Sequence, residues 1–266
     1  MTTHHGLTDA ERAAWSRDGF FIRESAFDAP EVQSLAAAAE GAVEAVTAAL
    51  ARGGDTYAID GNRYCEAGGS TVQFEHAPGS DTIRVVEPFH HLDPRFDALI
   101  DDPRLVDPMC DLIGETRVSL FTDKLNCKRP YEGSRFRWHQ DSPYWAHFTP
   151  DLDRLPNVMV ALDDARADNG CFRVIRGSHR RGMLPGLEGE GTLGPLFTDP
   201  RHFDASDQVL AAVPAGSLVF FSPHTVHGSE PNRSGEPRRA MVLTYQPGGR
   251  RMFKVDAKRD APARRR

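Results

Sequence analysis

The stretch RWHQDSPYW, residues 137–145, sets His139 and Asp141 two positions apart among Trp138, Tyr144 and Trp145. Residues i and i+2 of a strand project to one face, so this spacing predicts an imidazole nitrogen and a carboxylate oxygen aimed at a single point. Such a pair is either half of a metal site or a polar strand edge. Downstream, SPHTVHGSEPNRSGEPRRAMVLTY offers His227 and, eleven positions later, Arg238. Two imidazoles and one carboxylate on one face of a metal leave three positions open, the arrangement of non-haem Fe(II) oxygenases. An organic co-substrate can chelate through two of those positions and O2 can take the last. His224 and His227 form an HxxH pair, so spacing alone admits either as the third ligand. The Gly-Ser after His227 and the offset to the arginine favour His227, with His224 beside the site. A planar, permanently charged guanidinium grips a carboxylate bidentately. Arg238 is the choice for that task, and Arg239, on the opposite face by alternation, is its competitor. His4, His5, His76, His90, His91, His147 and His202 have no partner at ligand spacing, and His179 reads as structural.

These residues need rigid elements to bring them together. The N-terminal part, 1–54, reads as helix. Thr8 and Glu11 form a capping box, and APEVQSLAAAAEGAVEAVTAALARGG has Pro30 in its first turn and Gly53-Gly54 past its end. Val32, Leu35, Ala39, Val43, Val46 and Leu50 recur at helical spacing and predict one packed stripe. A second helical patch, DPRFDALIDDPRLVDPMCDLIG, is expected to break at Pro103 and Pro108 and to stop at Gly114. After Gly114 the period changes to that of short β segments: RVSLFTDKLNC, RFRWHQD, NVMVAL, CFRVI, QVLAAV, SLVFF and RAMVLTYQ, separated by turn residues. Helices first and then this run of strands predict a mainly β fold, a sandwich or open barrel with helices on one sheet. Residues 183–200 are rich in glycine and aperiodic and read as a long surface loop of the kind that serves as a lid.

The 266 residues are expected to form one domain, about 1–250, followed by a basic tail, 251–266. The net charge of −6 conceals eight Arg or Lys against two Asp in RRMFKVDAKRDAPARRR. That tail is read as a flexible, solvated terminus, and with no broad basic surface elsewhere no nucleic-acid partner is expected. No stretch reaches the ~20 apolar residues of a membrane span, and the start carries no apolar signal core. Cys65, Cys110, Cys127 and Cys171 lie far apart without a CxxC pair, so neither a zinc knuckle nor a disulfide framework is expected and a cytoplasmic location fits. Oligomeric state is not legible.

Three blocks, DKLNCKRPYEGSRFRWHQDSPYW, VMVALDDARADNGCFRVIRGSHRRG and HGSEPNRSGEPRRAMVLTY, together with the opening TDAERAAWSRDGFFIRESAF, resemble the phytanoyl-CoA dioxygenase family. These are the Fe(II)- and 2-oxoglutarate-dependent oxygenases that include ectoine hydroxylase. The resemblance implies a double-stranded β-helix, a jelly-roll or cupin-like core over about 116–247 with flanking helices. It implies Fe(2+) on His139, Asp141 and His227, 2-oxoglutarate as co-substrate and O2 as oxidant. Arg238 then holds the distal carboxylate of 2-oxoglutarate and Ser229 assists. Asn126 falls where relatives place a further polar contact, a cross-strand hydrogen bond being the alternative. Related halogenases carry a small residue at the acid's position, so Asp141 implies oxygen insertion or another C–H abstraction outcome. Phe136, Tyr144, Trp145 and Met159, where some members have tryptophan, are candidate walls for a small-molecule substrate, with Phe197 and, from 55–92, Tyr57, Arg63 and Phe74 as further candidates. The implied reaction is hydroxylation of a small metabolite. Desaturation, epimerisation or ring closure by the same chemistry, a divalent-metal hydrolase, and a non-catalytic cupin-like binder are the alternatives.

Overall fold

A computed structural model describes residues 5–59, 61–187 and 196–264. Helix α1 (Asp9–Asp18) begins on the expected capping box, with Thr8 accepting from the Glu11 amide and Glu11 from the Thr8 amide. Strand β1 (Phe20–Arg23) leads to helix α2 (Ala29–Leu50), capped by Asp28 and Glu31 with Pro30 in the first turn. Its buried stripe is Val32, Leu35, Ala38, Ala39, Ala42, Val46 and Ala49. Val43 and Leu50, expected on that stripe, lie half-buried at its margin. The alanines let the helix approach closely.

Residues 55–92, which the sequence leaves unplaced, supply β2 (Thr56–Ile59), β3 (Asn62–Ala67), β4 (Ser70–Phe74) and β5 (Ile83–Glu87). Next come helices α3 (Pro94–Ile100) and α4 (Pro103–Ile113). The break expected at Pro103 is present, since α3 ends at Ile100 and α4 starts at Pro103, but the one expected at Pro108 is not. Pro103 opens α4, where its missing N–H has no intrahelical partner to lose. Pro108 sits inside α4 without ending it, because Leu105, Val106, Met109, Cys110 and Ile113 bury its apolar face and outweigh one lost hydrogen bond. The remaining elements are β6 (Val118–Lys128), β7 (Phe136–His139), the single turn α5 (Ser142–Trp145), β8 (Asn157–Ala161), β9 (Phe172–Ile175), β10 (Gln208–Ala211), β11 (Leu218–Phe221), β12 (His227–Ser229) and β13 (Arg238–Pro247).

The strands form two antiparallel sheets, in the orders β1-β11-β8-β13-β6-β5-β4-β3-β2 and β10-β9-β12-β7. Side-chain alternation decides what each face of β13 meets. Met241, Leu243 and Tyr245 join the core under α2, α3 and α4. Ala240 faces the other way, with Met159, Val219 and Phe221 of its own sheet and Phe172, Val174 and Ala211 of the smaller one. Each fully buried Val, Leu or Ile contributes about 1.5–3 kcal/mol to this arrangement. The two facing sheets are the double-stranded β-helix that the resemblance implies.

The basic tail departs from expectation, because the described residues 251–264 are docked. Strand β5 pairs with β6 only at Leu125 and Asn126, which leaves the start of β6 with an open edge. The tail fills it: Leu120 N donates to Arg259 O at 2.7 Å and Ala261 N to Val118 O at 2.9 Å. Arg259 pairs with Asp97 and Asp101, and Arg264 with Asp107 and Asp111, so the charges that suggested solvation meet an acidic face of α3 and α4. All four cysteines are free and buried. No helix of the described residues is long and apolar enough to cross a membrane.

Candidate active site

Strands β7 and β12 are antiparallel neighbours whose register sets His139 directly opposite His227. Their ring centroids lie 4.2 Å apart. Gly228 makes this approach possible, since a Cβ there would stand 2.8 Å from the Phe136 carbonyl oxygen. Asp141 arrives by a different route from the one its spacing predicts. Strand β7 ends at His139, and Asp141 has helical angles (φ −78, ψ −30) at the start of α5. A turn, not strand alternation, swings its carboxylate beside the imidazoles. The amides of Asp141 and Ser142 both donate to Pro223 O at 3.1 Å and hold that turn against the segment leading to His227. One ligand atom from each of His139, Asp141 and His227 lies within 4.8 Å of the others.

Backbone carbonyls two residues back orient both rings: His139 Nδ1 bonds Arg137 O at 2.7 Å, and His227 Nδ1 bonds Thr225 O at 2.9 Å. With the proton assigned to Nδ1 by those acceptors, each Nε2 keeps its lone pair for a metal. Burial, then the neighbouring His227, holds the His139 pKa well below the usual histidine range, which keeps that ring neutral. Asp141 Oδ2 accepts from Asn157 Nδ2 at 2.9 Å, and Asn157 Oδ1 accepts from Thr244 Oγ1 at 2.5 Å. Neither Asn157 nor Thr244 was singled out from the sequence. Strand parity could have found them, because Asn157 is two residues before Met159 and Thr244 is six beyond Arg238.

Arg238 is 4% exposed and lines the same cavity, and its Nε and the Ser229 Oγ have no hydrogen-bond partner. Among the described residues no carboxylate pairs with Arg238. Burial pushes its pKa down to about 10, so the guanidinium stays charged, with Asp163 near enough to be felt but not paired with it. Arg239 is engaged on the other face by Asp163 and by Glu40 of α2. Asn126 stands in the wall opposite Ala240, and Lys124, two residues before it, is also in the wall. Burial opposes the Lys124 charge, yet Glu87 and Asp141 outweigh it and raise its pKa. Lys128, paired in register with Arg238, donates to Ser134 O and Glu230 O at 2.6 Å each. Burial, then Arg238 and Arg84, pushes its pKa down to about 6.

Phe136, Trp145 and Met159 are walls of the cavity, as are Phe172, Phe221 and Val242, which the sequence did not flag. Tyr144 meets the His139 ring edge-on at 6.1 Å and packs with Phe121, Trp145 and Leu155 outside the wall. Tyr57, Arg63 and Phe74 are not walls: Tyr57 bonds Glu66, and Arg63 stacks on Phe74 at 4.3 Å. Phe197 is bridged to the His139 backbone beneath the Arg137 guanidinium. Of the expected lid, residues 188–195 lie outside the described residues, and its base pairs through Leu187 N and Phe197 O at 2.8 Å. His224 bonds Ser142 and Asp153, beside the triad and not part of it. Two imidazoles and a carboxylate on one side suit a divalent metal with open positions. An uncompensated buried guanidinium suits a carboxylate ligand, since leaving it unpaired costs several kcal/mol.

A model of the phytanoyl-CoA dioxygenase (PhyH) family matches residues 15–240. Ectoine dioxygenase of Bordetella bronchiseptica is 29% identical over 253 residues, covering 87% of this chain and 73% of that protein. L-proline trans-4-hydroxylase of Streptomyces griseoviridis is 28% identical over 187 residues, 63% of this chain and 68% of that one. The crystal structure of EctD from S. alaskensis with 2-oxoglutarate and 5-hydroxyectoine matches with a TM-score of 0.70 at 25% identity, covering 95% of this chain and 81% of that one. The carbocyclase SnoK from nogalamycin biosynthesis shares the fold, with a TM-score of 0.67 at 20% identity over 93% of this chain and 87% of that one.

Proposed function

The chain belongs to the phytanoyl-CoA dioxygenase family, and from that premise we propose that it is an Fe(II)- and 2-oxoglutarate-dependent dioxygenase. It hydroxylates an unactivated C–H bond of a small metabolite and releases succinate and CO2. His139, Asp141 and His227 would hold the iron, which supplies the redox centre where the keto acid and O2 are activated. The rest is done by the chain's own groups. The carbonyls of Arg137 and Thr225 fix both rings, and Asn157 holds the Asp141 carboxylate in place. Arg238 and Ser229 take the distal carboxylate of 2-oxoglutarate, with Asn126 beside them. Trp145, Met159, Phe172 and Phe221 keep water from the reacting carbon. Four buried, unpaired cysteines suit a reducing cytoplasm.

The observation that carries this reading is the buried Arg238, without a carboxylate partner among the described residues, in the same cavity as the His-Asp-His cluster. A hydrolase built on the same triad has no use for such a clamp. Protein given Fe(II) and 2-oxoglutarate without oxygen is expected to show a weak visible charge-transfer band. Arg238→Ala should weaken 2-oxoglutarate binding about 10- to 100-fold, the equivalent of losing a charge-assisted bidentate contact, whereas Arg239→Ala should leave the band in place. A wild-type protein with no band rejects the oxygenase reading.

A further inference from the structure

Between the first two ligands of the triad stands Gln140, a residue the proposed chemistry leaves without a task. It is fully buried, and each polar group on its side chain is engaged. The amide nitrogen donates to Gly182 O at 2.9 Å and to His224 O at 2.5 Å, and the amide oxygen accepts from Leu184 N at 2.7 Å. Those three partners are not a random sample of the surroundings. His224 is three residues ahead of His227, in the turn that delivers the last ligand. Gly182 and Leu184 begin the excursion that leaves the barrel after β9. The returning limb of that excursion lies on the open edge of β7, where Phe197 is bridged to His139 and Thr198 N donates to Trp138 O at 3.0 Å. One amide thus joins the HxD segment, the turn bearing the distal histidine and the outgoing limb of the excursion.

We infer that Gln140 is the positioning residue of the metal centre: it fixes the spacing between the HxD pair and His227 and ties the segment at Gly182 and Leu184 to that spacing. This rests on the triad being the metal site. The physical reason is connectivity. Asp141 sits past the end of β7, beyond the reach of the ladder bonds that hold His139 to His227. Together with the two amide bonds to Pro223 O and the Ser142–His224 side-chain bond, the Gln140 bond to His224 O crosslinks the turn bearing Asp141 to the one bearing His227. A glutamine satisfied at all of its polar groups has no alternative rotamer that keeps them paired. Because the same side chain also grips Gly182 and Leu184, drawing the three ligands together must tighten the excursion's base.

The test uses the full chain and Co(II) as the probe. Gln140→Glu keeps the shape and the acceptor for Leu184 N but presents an oxygen to two carbonyls. Gln140→Met keeps the length and loses all three bonds. Both are expected to raise the Co(II) dissociation constant about 10- to 100-fold and to shift the d–d absorption bands. Asn169→Ala, which removes another fully buried amide bonded to Arg166 N and Asp164 O, should lower the thermal midpoint and leave affinity and bands unchanged. In the wild type, Co(II) should slow amide hydrogen exchange at Leu184, which keeps the inference testable if neither Gln140 variant folds. Folded variants that bind Co(II) within about threefold of wild type, with unaltered bands, would overturn it, as would a Leu184 amide indifferent to the metal. A wild type that binds no Co(II) removes the triad reading itself and this inference with it.

Discussion

Lys128 and Arg238 face each other across β6 and β13, and they meet burial in different ways. An arginine cannot shed its proton in a protein, so Arg238 stays charged. A lysine can, and Lys128, hemmed in by burial, Arg238 and Arg84, gives up its proton at about pH 6. In the unfolded chain a lysine keeps its proton to about 10.4. Between about pH 6 and 10 the unfolded state therefore binds the extra proton, and stability rises with pH across that window. Thermal melts from pH 6 to 9 should show a midpoint climbing more steeply in the wild type than in Lys128→Met, and parallel curves would mean that Lys128 remains protonated. What the sequence discloses at this scale follows from residue type and spacing. His139, Asp141, His227 and Arg238 were legible because few tasks need those groups at those intervals. For Asn157 and Thr244 parity gives the face alone; that they bond each other and orient Asp141 was not legible, because they lie 87 residues apart and meet through the β8–β13 register.

At the scale of elements, the segments with strong period were legible: the two N-terminal helices, the first with its cap, and the strands from Val118 to Pro247 except the three-residue β12, too short to show a period. Strands β2 and β3 were not, because half-exposed strands such as Thr56–Ile59 show no alternation to read, and their pairing is decided by neighbours already in the sheet. Pro108 misled for a related reason, since packing of the α4 apolar face overrides a local preference. The tail misled because its charge was weighed without the acids that meet it. Docking of residues 251–264 has a measurable consequence. Exposed ion pairs contribute at most about 1 kcal/mol each, so Arg259→Gln alone should change stability little. Truncation after Arg250 also removes the strand-edge bonds and exposes the area covered by buried Met252 and Ala261. It should cost at least about 2 kcal/mol, read as a lower urea midpoint, and an unchanged midpoint would contradict the docking.

Across the whole molecule, one face of the larger sheet stabilises the fold against the helices, and the other face hosts charged groups that burial penalises. The ligand-free protein therefore carries a deficit that ligands should relieve. Divalent metal and then 2-oxoglutarate should raise the thermal midpoint in steps. Ligand at a hundred times its dissociation constant adds about 2.7 kcal/mol, a rise of roughly 5–10 °C for a protein of this size. A scan in which neither addition moves the midpoint would place the charged cavity outside ligand binding. The four sealed thiols give a way to watch such opening in progress. A thiolate is the reactive form, and burial pushes Cys110 up to about 11 and Cys127 up to about 12, so an aromatic disulfide reagent has little to attack while the molecule stays shut. Cys65 in β3, Cys110 in α4, Cys127 in β6 and Cys171 just ahead of β9 sit in separate parts of the architecture. The order in which they label becomes a clock with four hands, each timing when its own region first comes apart.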